Sequence, residues 1–200
     1  MERPEVSIII PTLNEEKNIG KVIDGIRGSL KGYSYEIIVV DGNSKDRTAE
    51  IARSKKCKVI FENVGKGYAI RKGMRHAKGN IIVSMDADLS NEPKELRLLI
   101  ESIRIGYDIA MGSRFITGGG SYDMPLYRKF GNKLFVLLVN LIYKCSYTDM
   151  CYGYRAFSRK AIRKMKLKEN GFGIETEISI EAKKRGLRVI EIPSVEKIRA

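Results

Sequence analysis

Two aspartates one residue apart, Asp86 and Asp88, directly follow an apolar segment at residues 81–85. If that segment is a strand, both carboxylates lie at its carboxyl end and can turn towards one hard cation. Mg²⁺ and Mn²⁺ take oxygen ligands and usually keep oxygens of a substrate phosphate in their coordination shell. An acidic turn has the same composition, but the preceding strand and the polar loops elsewhere favour a metal site.

Polar residues also follow the other predicted strands. Asn14 and Glu15 follow the first strand, Asp41 the second and Arg114 the fifth. Ligands of open α/β sheets bind at the carboxyl ends of the strands, so these side chains are expected to share one edge. Asp41 is either an acceptor for a base or ribose or a cap for the next helix. Lys66, flanked by glycines, either pairs with a phosphate or is solvated.

Three arginines, Arg114, Arg128 and Arg155, indicate a second ligand that carries phosphate, since a guanidinium matches phosphate geometry better than an ammonium does. Residues 155–168 form a basic run without an acid, which is either a solvated helix face or a patch for anionic lipid headgroups. The apolar residues 134–143 fit an interfacial surface, although a buried core helix is the simpler interpretation.

The elements that position these residues alternate between strand and helix. Continuous apolar runs predict strands at residues 6–10, 36–40, 58–61, 80–85, 107–111 and 188–192. Helices are predicted from Asn14, as N-cap, to about residue 30, and over 46–55, 66–77, 93–105, 126–144 and 171–185. This order is typical of an α/β fold with a mostly parallel central sheet and helices on both faces. One domain over residues 1–200 is the simplest organisation.

The composition excludes several classes. With 200 residues, 43% hydrophobic and 30% charged, the chain is globular, not disordered. Cys57, Cys145 and Cys151 lack CxxC spacing, which argues against a disulfide framework or a zinc site and for a reducing cytosol. No signal peptide is expected, and no apolar window of about 18 residues predicts a spanning helix. The net charge of +13 favours phosphate-bearing partners: nucleic acid, nucleotide or anionic lipid.

Read together, these motifs resemble glycosyltransferase family 2 with the GT-A fold. The resemblance lies in the segments SIIIPTLNEE at residues 7–16, VVDGNSKDRT at 39–48, GKGYA at 65–69 and DADL at 86–89. Three later segments resemble the branch of dolichyl- or polyprenyl-phosphate sugar synthases: GSRF at 112–115, DMCYGYRAF at 149–157 and GIETE at 173–177. The QxxRW motif of the processive members is absent.

The resemblance implies a nucleoside-diphosphate sugar, GDP- or UDP-linked, bound by residues 1–112. Its binding residues would be Pro11, Asn14, Glu15, Asp41, Lys66 and Asp86. Asp86 and Asp88 would hold Mg²⁺ or Mn²⁺ on the diphosphate, where the ion neutralises charge on the leaving group. The family inverts the anomeric centre, so attack is expected in line. Asp88 and Arg114 are the residues on which turnover is expected to depend.

Residues 113–200 would bind the acceptor, a polyprenyl or dolichyl phosphate. Arg114 and Arg128 match the arginines that hold the lipid phosphate in this branch, with Arg155 as a further candidate. The chain departs from the branch at Gly131 and Asn132, where a serine is usual, and at Ser90, where glutamine is frequent. The enzyme is expected in the cytoplasm, peripheral on the cytoplasmic face of a membrane.

Two alternatives stay open. A glycosyltransferase of the same fold with a sugar or protein hydroxyl as acceptor would need a general base, and Asp149, Glu175 and Glu177 are candidates. A phosphate acceptor needs none, because it is already largely ionised at neutral pH. A nucleic-acid-binding domain is the more distant alternative, since the chain has no stacking motif or Cys/His finger; no nucleic-acid partner is expected.

Overall fold

The structure is a computed structural model and describes residues 3–199. A seven-stranded sheet has the order β3-β2-β1-β4-β7-β5-β8, and β6 pairs with β9 separately. The strands are β1 Val6–Thr12, β2 Tyr35–Asp41, β3 Lys58–Phe61, β4 Ile81–Ser84, β5 Ile109–Ser113, β6 Gly120–Ser121, β7 Arg155–Ser158, β8 Val189–Pro193 and β9 Val195–Glu196. The helices are α1 Ile19–Ser29, α2 Thr48–Ser54, α3 Lys66–His76, α4 Leu96–Arg104, α5 Leu126–Tyr143, α6 Arg159–Lys164 and α7 Ile174–Lys184, with a 3₁₀ turn at Pro93–Glu95.

The sheet buries both of its faces, which explains why its strands are continuous apolar runs. In β1, Ile8 and Ile10 pack on one face with residues of α1 and α4. Ile9 points to the other face, where it packs with residues of α3 and α7. Successive side chains of a strand alternate between faces, so helices on both sides require every position to be apolar. The predicted α/β class with a mostly parallel sheet is confirmed.

Strand β7 was not predicted, and it lies in the middle of the sheet. It pairs antiparallel with β4 on one side and with β5 on the other. It therefore brings a segment of the second half of the chain between two strands of the first half. Arg155, its first residue, is 1% exposed. The interpretation of residues 155–168 as one solvated basic face is therefore wrong, because the run is divided among β7, α6 and the segment after α6.

The first helix begins later than expected. Asn14 is not its N-cap, because α1 starts at Ile19. Asn14 instead adopts a left-handed backbone conformation with φ of 56°. Its side chain accepts a hydrogen bond from the Lys45 backbone N–H at 2.8 Å, and its own N–H donates to Ser44 Oγ at 2.9 Å. Asparagine tolerates this conformation, so the residue joins two loops at the sheet edge rather than capping a helix.

Helix α5 has the predicted bounds but not the predicted burial. Its buried residues are Val136 and Val139. The large apolar side chains exposed along it are Leu126, Tyr127, Phe130, Leu134, Phe135, Leu137, Leu138, Leu141 and Ile142. The interpretation as a buried core helix is wrong, and the helix presents an apolar surface of a kind that marks an interaction site. Over residues 3–199, no helix is both long and apolar enough to cross a bilayer.

Candidate functional site

A cavity of about 1150 Å³ opens at the carboxyl ends of strands β1 to β5. Residues that directly follow these strands line it, as the rule for open α/β sheets predicts. The expected site residues along its wall are Pro11, Glu15, Lys66, Asp86, Asp88, Arg114, Arg128 and Glu175. The topology thus brings together side chains that are far apart in sequence and come from both halves of the chain.

Lys66 and Asp86 form the centre of the cavity. The Lys66 ammonium lies 2.8 Å from Asp86 Oδ1 and 3.0 Å from Glu175 Oε1. Burial lowers the pKa of Lys66, but the charges of Asp86 and Glu175 outweigh it, so the pKa is raised above its ordinary value and the ammonium is retained. An anionic ligand that contacts the Lys66 ammonium must therefore share it with these two carboxylates.

The flanking glycines fix the position of Lys66. Gly65 has φ of 147°, and a Cβ there would lie 2.7 Å from the Asn170 carbonyl oxygen. A Cβ on Gly67 would lie 2.5 Å from the Glu169 carbonyl oxygen. Only residues without a side chain allow residues 169–171 to pass this close to the start of α3. The GKG sequence therefore serves backbone packing as well as exposing the lysine.

Asp88 is oriented by the residue two positions later. Ser90 donates to Asp88 Oδ1 from its hydroxyl at 2.6 Å and from its backbone N–H at 3.0 Å. The other oxygen, Oδ2, lies 3.3 Å from Arg199 Nε. Similarly, Asn91 Oδ1 accepts the Asp86 backbone N–H at 2.8 Å. Each aspartate thus has one oxygen that contacts a cationic side chain of the chain itself.

This donor set fits a divalent cation. Burial raises the pKa of Glu15; the hydrogen bond from Asn18 opposes this shift, and the nearby charges of Asp88, Asp46 and Asp86 add to it. Lys66 and Arg199 already place positive charge at the two aspartates. Within the described part of the chain, no group of three or more acidic, histidine or cysteine side chains forms a complete metal site. Two carboxylates therefore suit an ion that also takes oxygens from a ligand.

Arg114 lies on the cavity wall but is already paired. Its Nε and Nη2 donate to the two oxygens of Asp149 at 2.7 and 3.0 Å, and its Nη1 donates to Glu196 at 3.1 Å. All three side chains are buried. The guanidinium is also 4.7 Å from the centre of the Tyr152 ring. Its charge is largely neutralised by this network, which ties the end of β5 to β9 and to the loop before β7.

Arg128 is different, because it is exposed on the first turns of α5 and no acidic side chain within residues 3–199 pairs with it. It lines the cavity together with Gly131, Asn132 and Phe135 of the same helix. Beyond these residues, α5 carries its exposed apolar surface. The Arg128 guanidinium at the cavity mouth therefore lies beside an apolar surface of α5 that can contact hydrocarbon.

Several predicted residues lie outside the cavity wall. Asp41 directly precedes Gly42 and is fully buried, its Oδ1 accepts the Ser44 N–H at 2.7 Å, and its Oδ2 has no hydrogen-bond partner among residues 3–199. Asn14 belongs to the loop contacts described above.

The structure places Arg155 beneath the cavity, not in it. Its guanidinium donates to the carbonyl oxygens of Tyr152, Glu175 and Met150 and to Ser179 Oγ, at 2.8–3.0 Å. Burial lowers its pKa. The expectation that Arg155 contacts an acceptor does not fit this position, because its donors are already used inside the protein and it is inaccessible. It instead fixes the loop before β7 to α7.

The three candidate bases differ in position. Asp149 is fully buried, and both of its oxygens accept hydrogen bonds from Arg114. Glu177 accepts the backbone N–H groups of residues 168 and 169 and is absent from the cavity wall. Glu175 lines the cavity but is paired with Lys66. The geometry therefore leaves Glu175 as the one member of this set that can reach a ligand.

Among the wall residues that the sequence did not predict are Glu62, Phe172, Glu196 and Arg199. Glu62 accepts the N–H groups of Val64 and Gly65, and so supports the loop before Lys66. Phe172 is 84% exposed, with its ring centre 5.9 Å from the Lys66 ammonium. A glutamate directly after a predicted strand was the available signal for Glu62; nothing local distinguished the other three.

The comparisons with known proteins agree with this geometry. The sequence model described as "Glycosyl transferase family 2" matches residues 7–166. A dolichol-phosphate mannosyltransferase from Pyrococcus furiosus is 37% identical over 98% of the chain, and the glycosyltransferase AglJ from Haloferax volcanii is 31% identical over 94%. The chain spans 57% and 62% of the length of these two relatives.

Among solved structures, the fold is similar to glucosyl-3-phosphoglycerate synthase from Mycobacterium tuberculosis in complex with Mn²⁺, UDP and glucosyl-3-phosphoglycerate. The TM-score is 0.79 at 24% identity, over 98% of this chain and 71% of that one. This likeness identifies the fold as GT-A, as the sequence motifs predict.

Proposed function

Because the chain belongs to glycosyl transferase family 2 and is therefore a glycosyltransferase, we propose that it moves a sugar from a nucleoside diphosphate to a polyprenyl or dolichyl phosphate at a membrane surface. The observation that carries this proposal is the continuity between Arg128 at the cavity mouth and the exposed apolar side chains of α5. A lipid phosphate has the matching pair of features, an anionic head and a hydrocarbon chain. The name of the Pyrococcus furiosus relative supports the same acceptor class.

The donor occupies the part of the cavity formed by residues of the first half. The nucleoside lies along Pro11, Glu15 and Gly42, and the diphosphate lies near Lys66 and the two aspartates. A Mg²⁺ or Mn²⁺ ion on Asp86 and Asp88, as with the Mn²⁺ and UDP of the structural neighbour, would supply a Lewis acid that neutralises the departing diphosphate. Lys66 and Arg199 add positive charge on the same side, which favours the more negative leaving group over the intact donor.

The acceptor phosphate approaches from α5. Arg128 holds one of its oxygens, and the Arg114 network forms the wall behind it. An oxygen of the acceptor attacks the anomeric carbon as the bond from that carbon to the diphosphate breaks, so attack in line inverts the centre. No general base is required, because a phosphate monoester with a second pKa near ~6 is already largely ionised at neutral pH. Glu175 then keeps its structural pairing with Lys66 throughout.

A membrane location follows from the acceptor. The apolar surface of α5 contacts the acyl boundary, and basic side chains such as Lys129 and Lys133 on the same helix contact anionic headgroups. The three free cysteines support a reducing compartment, so the cytoplasmic face is the membrane face that we propose.

A donor screen tests the proposal. UDP- and GDP-sugars are incubated with Mn²⁺ and a short polyprenyl phosphate, and the glycolipid is detected by mass spectrometry. We expect product with at least one donor, loss of product in Asp88→Ala, and unchanged product in Asp24→Ala, a surface control that pairs with Lys55. Absence of glycolipid with every donor, while a simple sugar acceptor is glycosylated, would favour the hydroxyl acceptor instead.

A further inference from the structure

A second cavity, of about 360 Å³, lies apart from the first and shares no lining residue with it. We call it the arginine groove. Its wall consists of five arginines and four apolar residues: Arg3, Arg71, Arg75, Arg159, Arg163, Met74, Ile162, Met165 and Leu167. The wall contains no acidic side chain among residues 3–199. It is formed by the second half of α3, by α6 and by the segment that follows α6.

Like charges collected in one cavity repel each other unless an anion joins them. Burial lowers the pKa of Arg159, and the charges of Arg3 and Arg163 lower it further, so these guanidinium groups act on one another across the groove. The negative charge of Glu36 opposes this lowering of the Arg159 pKa. Glu36 Oε1, however, already accepts hydrogen bonds from the Ser7 hydroxyl and the Lys78 backbone N–H. The groove therefore retains a positive potential.

Some N–H groups of these arginines also have no hydrogen-bond acceptor among the described residues. Arg159 donates to the carbonyl oxygens of Ala77 and Gly79, and Arg71 to those of Leu167 and the Asn170 side chain. These bonds hold the two arginines in place. Yet the Nε–H of each is buried without an acceptor among the residues that the structure describes. Arg75 and Arg163 are exposed, and neither has an acidic partner within the same range.

From this wall we propose that the arginine groove is a second ligand site, which binds a phosphate monoester attached to an apolar group. Arginine forks match the geometry of phosphate oxygens, and several of them together suit a dianion. Met74, Ile162, Met165 and Leu167 provide contact for an apolar group beside the phosphate. The volume suits a small molecule or one lipid headgroup with the beginning of its chains. The site is independent of the proposed acceptor site on α5.

Two probes present a phosphate group to the arginine groove. One is inorganic phosphate, and the other is monomeric dihexanoyl phosphatidic acid, which adds an apolar group. Binding is measured by calorimetry at constant ionic strength, with EDTA present. The test variant Arg75→Glu/Arg163→Glu changes two exposed residues of the groove. The contact that it removes within α3 is that of the Arg75 guanidinium, which lies 5.5 Å from the centre of the Tyr68 ring, and circular dichroism checks that the variant is folded. The matched control, Lys21→Glu/Lys160→Glu, makes the same charge change at exposed positions outside the groove. Arg128→Glu removes the unpaired cation of the larger cavity.

We expect at least a tenfold loss of affinity in Arg75→Glu/Arg163→Glu, and near-normal affinity in the control and in Arg128→Glu. Tighter binding of the phosphatidic acid than of inorganic phosphate supports a monoester with an apolar group, and equal binding of the two overturns the role of the apolar wall. The proposal is overturned if neither probe binds the wild-type protein. It is equally overturned if the groove variant binds as well as the wild type, or if Arg128→Glu alone abolishes binding.

Discussion

The Nε of Arg199 lies 3.3 Å from Oδ2 of Asp88, at the edge of the larger cavity. The same guanidinium contacts Asp123 at 3.2 Å and Glu196 at 3.6 Å, so its single charge is shared between neighbouring carboxylates. Lys66 likewise shares its charge between Asp86 and Glu175. The chain's own cations therefore balance the acidic centre of the cavity only in part, and any metal ion must compete with them.

This balance predicts weak binding of a divalent cation alone. Calorimetry should give a low affinity for Mn²⁺, and a higher one with a nucleoside diphosphate present, because the ligand completes the oxygen shell. Asp88→Ala should remove the effect of the nucleotide, whereas Asp24→Ala, which changes an exposed aspartate paired with Lys55, should not. Nucleotide affinity that is unchanged in Asp88→Ala would exclude the assignment.

Arg128→Ala should raise the KM for lipid phosphate much more than the KM for the donor. A lost charge-assisted hydrogen bond costs about 1.5–3 kcal/mol, or roughly 10- to 150-fold in KM. Arg128 is exposed and unpaired within the described chain, so the fold should be unaffected. Lys21→Ala, which changes an exposed basic residue of α1 that is absent from the cavity wall, is the control. A weakened donor KM with a normal acceptor KM would assign Arg128 to the donor.

Arg114, by contrast, is expected to contribute mainly to the stability of the fold. Arg114→Ala leaves the carboxylates of Asp149 and Glu196 buried without their cation, which typically costs about 3–5 kcal/mol. Urea unfolding should show this loss, while Arg128→Ala should stay within about 0.5 kcal/mol of the wild type. A stable Arg114→Ala protein with a selective acceptor defect would show instead that Arg114 acts mainly on the ligand.

Asp41→Asn should weaken binding of the nucleoside diphosphate by roughly tenfold, as expected for one lost hydrogen bond of about 1–1.5 kcal/mol. The buried Oδ2 has no partner among residues 3–199, and Asp41 directly precedes Gly42 of the cavity wall. The amide keeps an oxygen for the Ser44 N–H, so loop geometry should persist. Asp46→Asn, in the same loop but bonded to Thr48, is the control. Equal affinities in both variants would remove Asp41 from the donor site.

Membrane attachment should be peripheral and partly salt-sensitive. Basic side chains contribute about 1 kcal/mol each near an anionic leaflet, and salt screens this over roughly 8–10 Å. The apolar surface of α5 should retain some binding at high salt. Flotation with neutral and anionic liposomes measures both components, and Leu138→Glu/Ile142→Glu should reduce the apolar one. Protein that stays soluble with anionic liposomes at low salt contradicts this attachment.

Local patterns predicted the parallel part of the sheet, because a strand buried on both faces must be apolar at every position. Ile8, Ile9 and Ile10 of β1 show this directly. Strand β7 was missed because it begins with Arg155 and contains only two apolar residues, Ala156 and Phe157. An arginine there is tolerated only because three carbonyl oxygens and Ser179 receive its donors. Those acceptors come from distant segments, which no local pattern reveals.

The cavity residues that were predicted likewise differ from the missed ones in whether a local sequence pattern determines their position. Asp86 and Asp88 follow a strand directly, so the strand itself determines their place. Arg199 reaches Asp88 from the far end of the described chain, after β9 has paired with β6. The burial of α5 was mispredicted for a related reason: its apolar residues look like a core stripe, and only the packing of the rest shows that little of the helix is covered.

The most direct test of a lipid-phosphate acceptor compares a polyprenyl phosphate with the matching polyprenol, using the active donor at saturation. Transfer is followed by mass spectrometry, and proton NMR determines the anomeric configuration of the product. We expect a sugar on the phosphate, with the anomeric configuration inverted relative to the donor, and no transfer to the alcohol. Transfer to the polyprenol at a comparable rate, or retention of the donor's configuration, would contradict it.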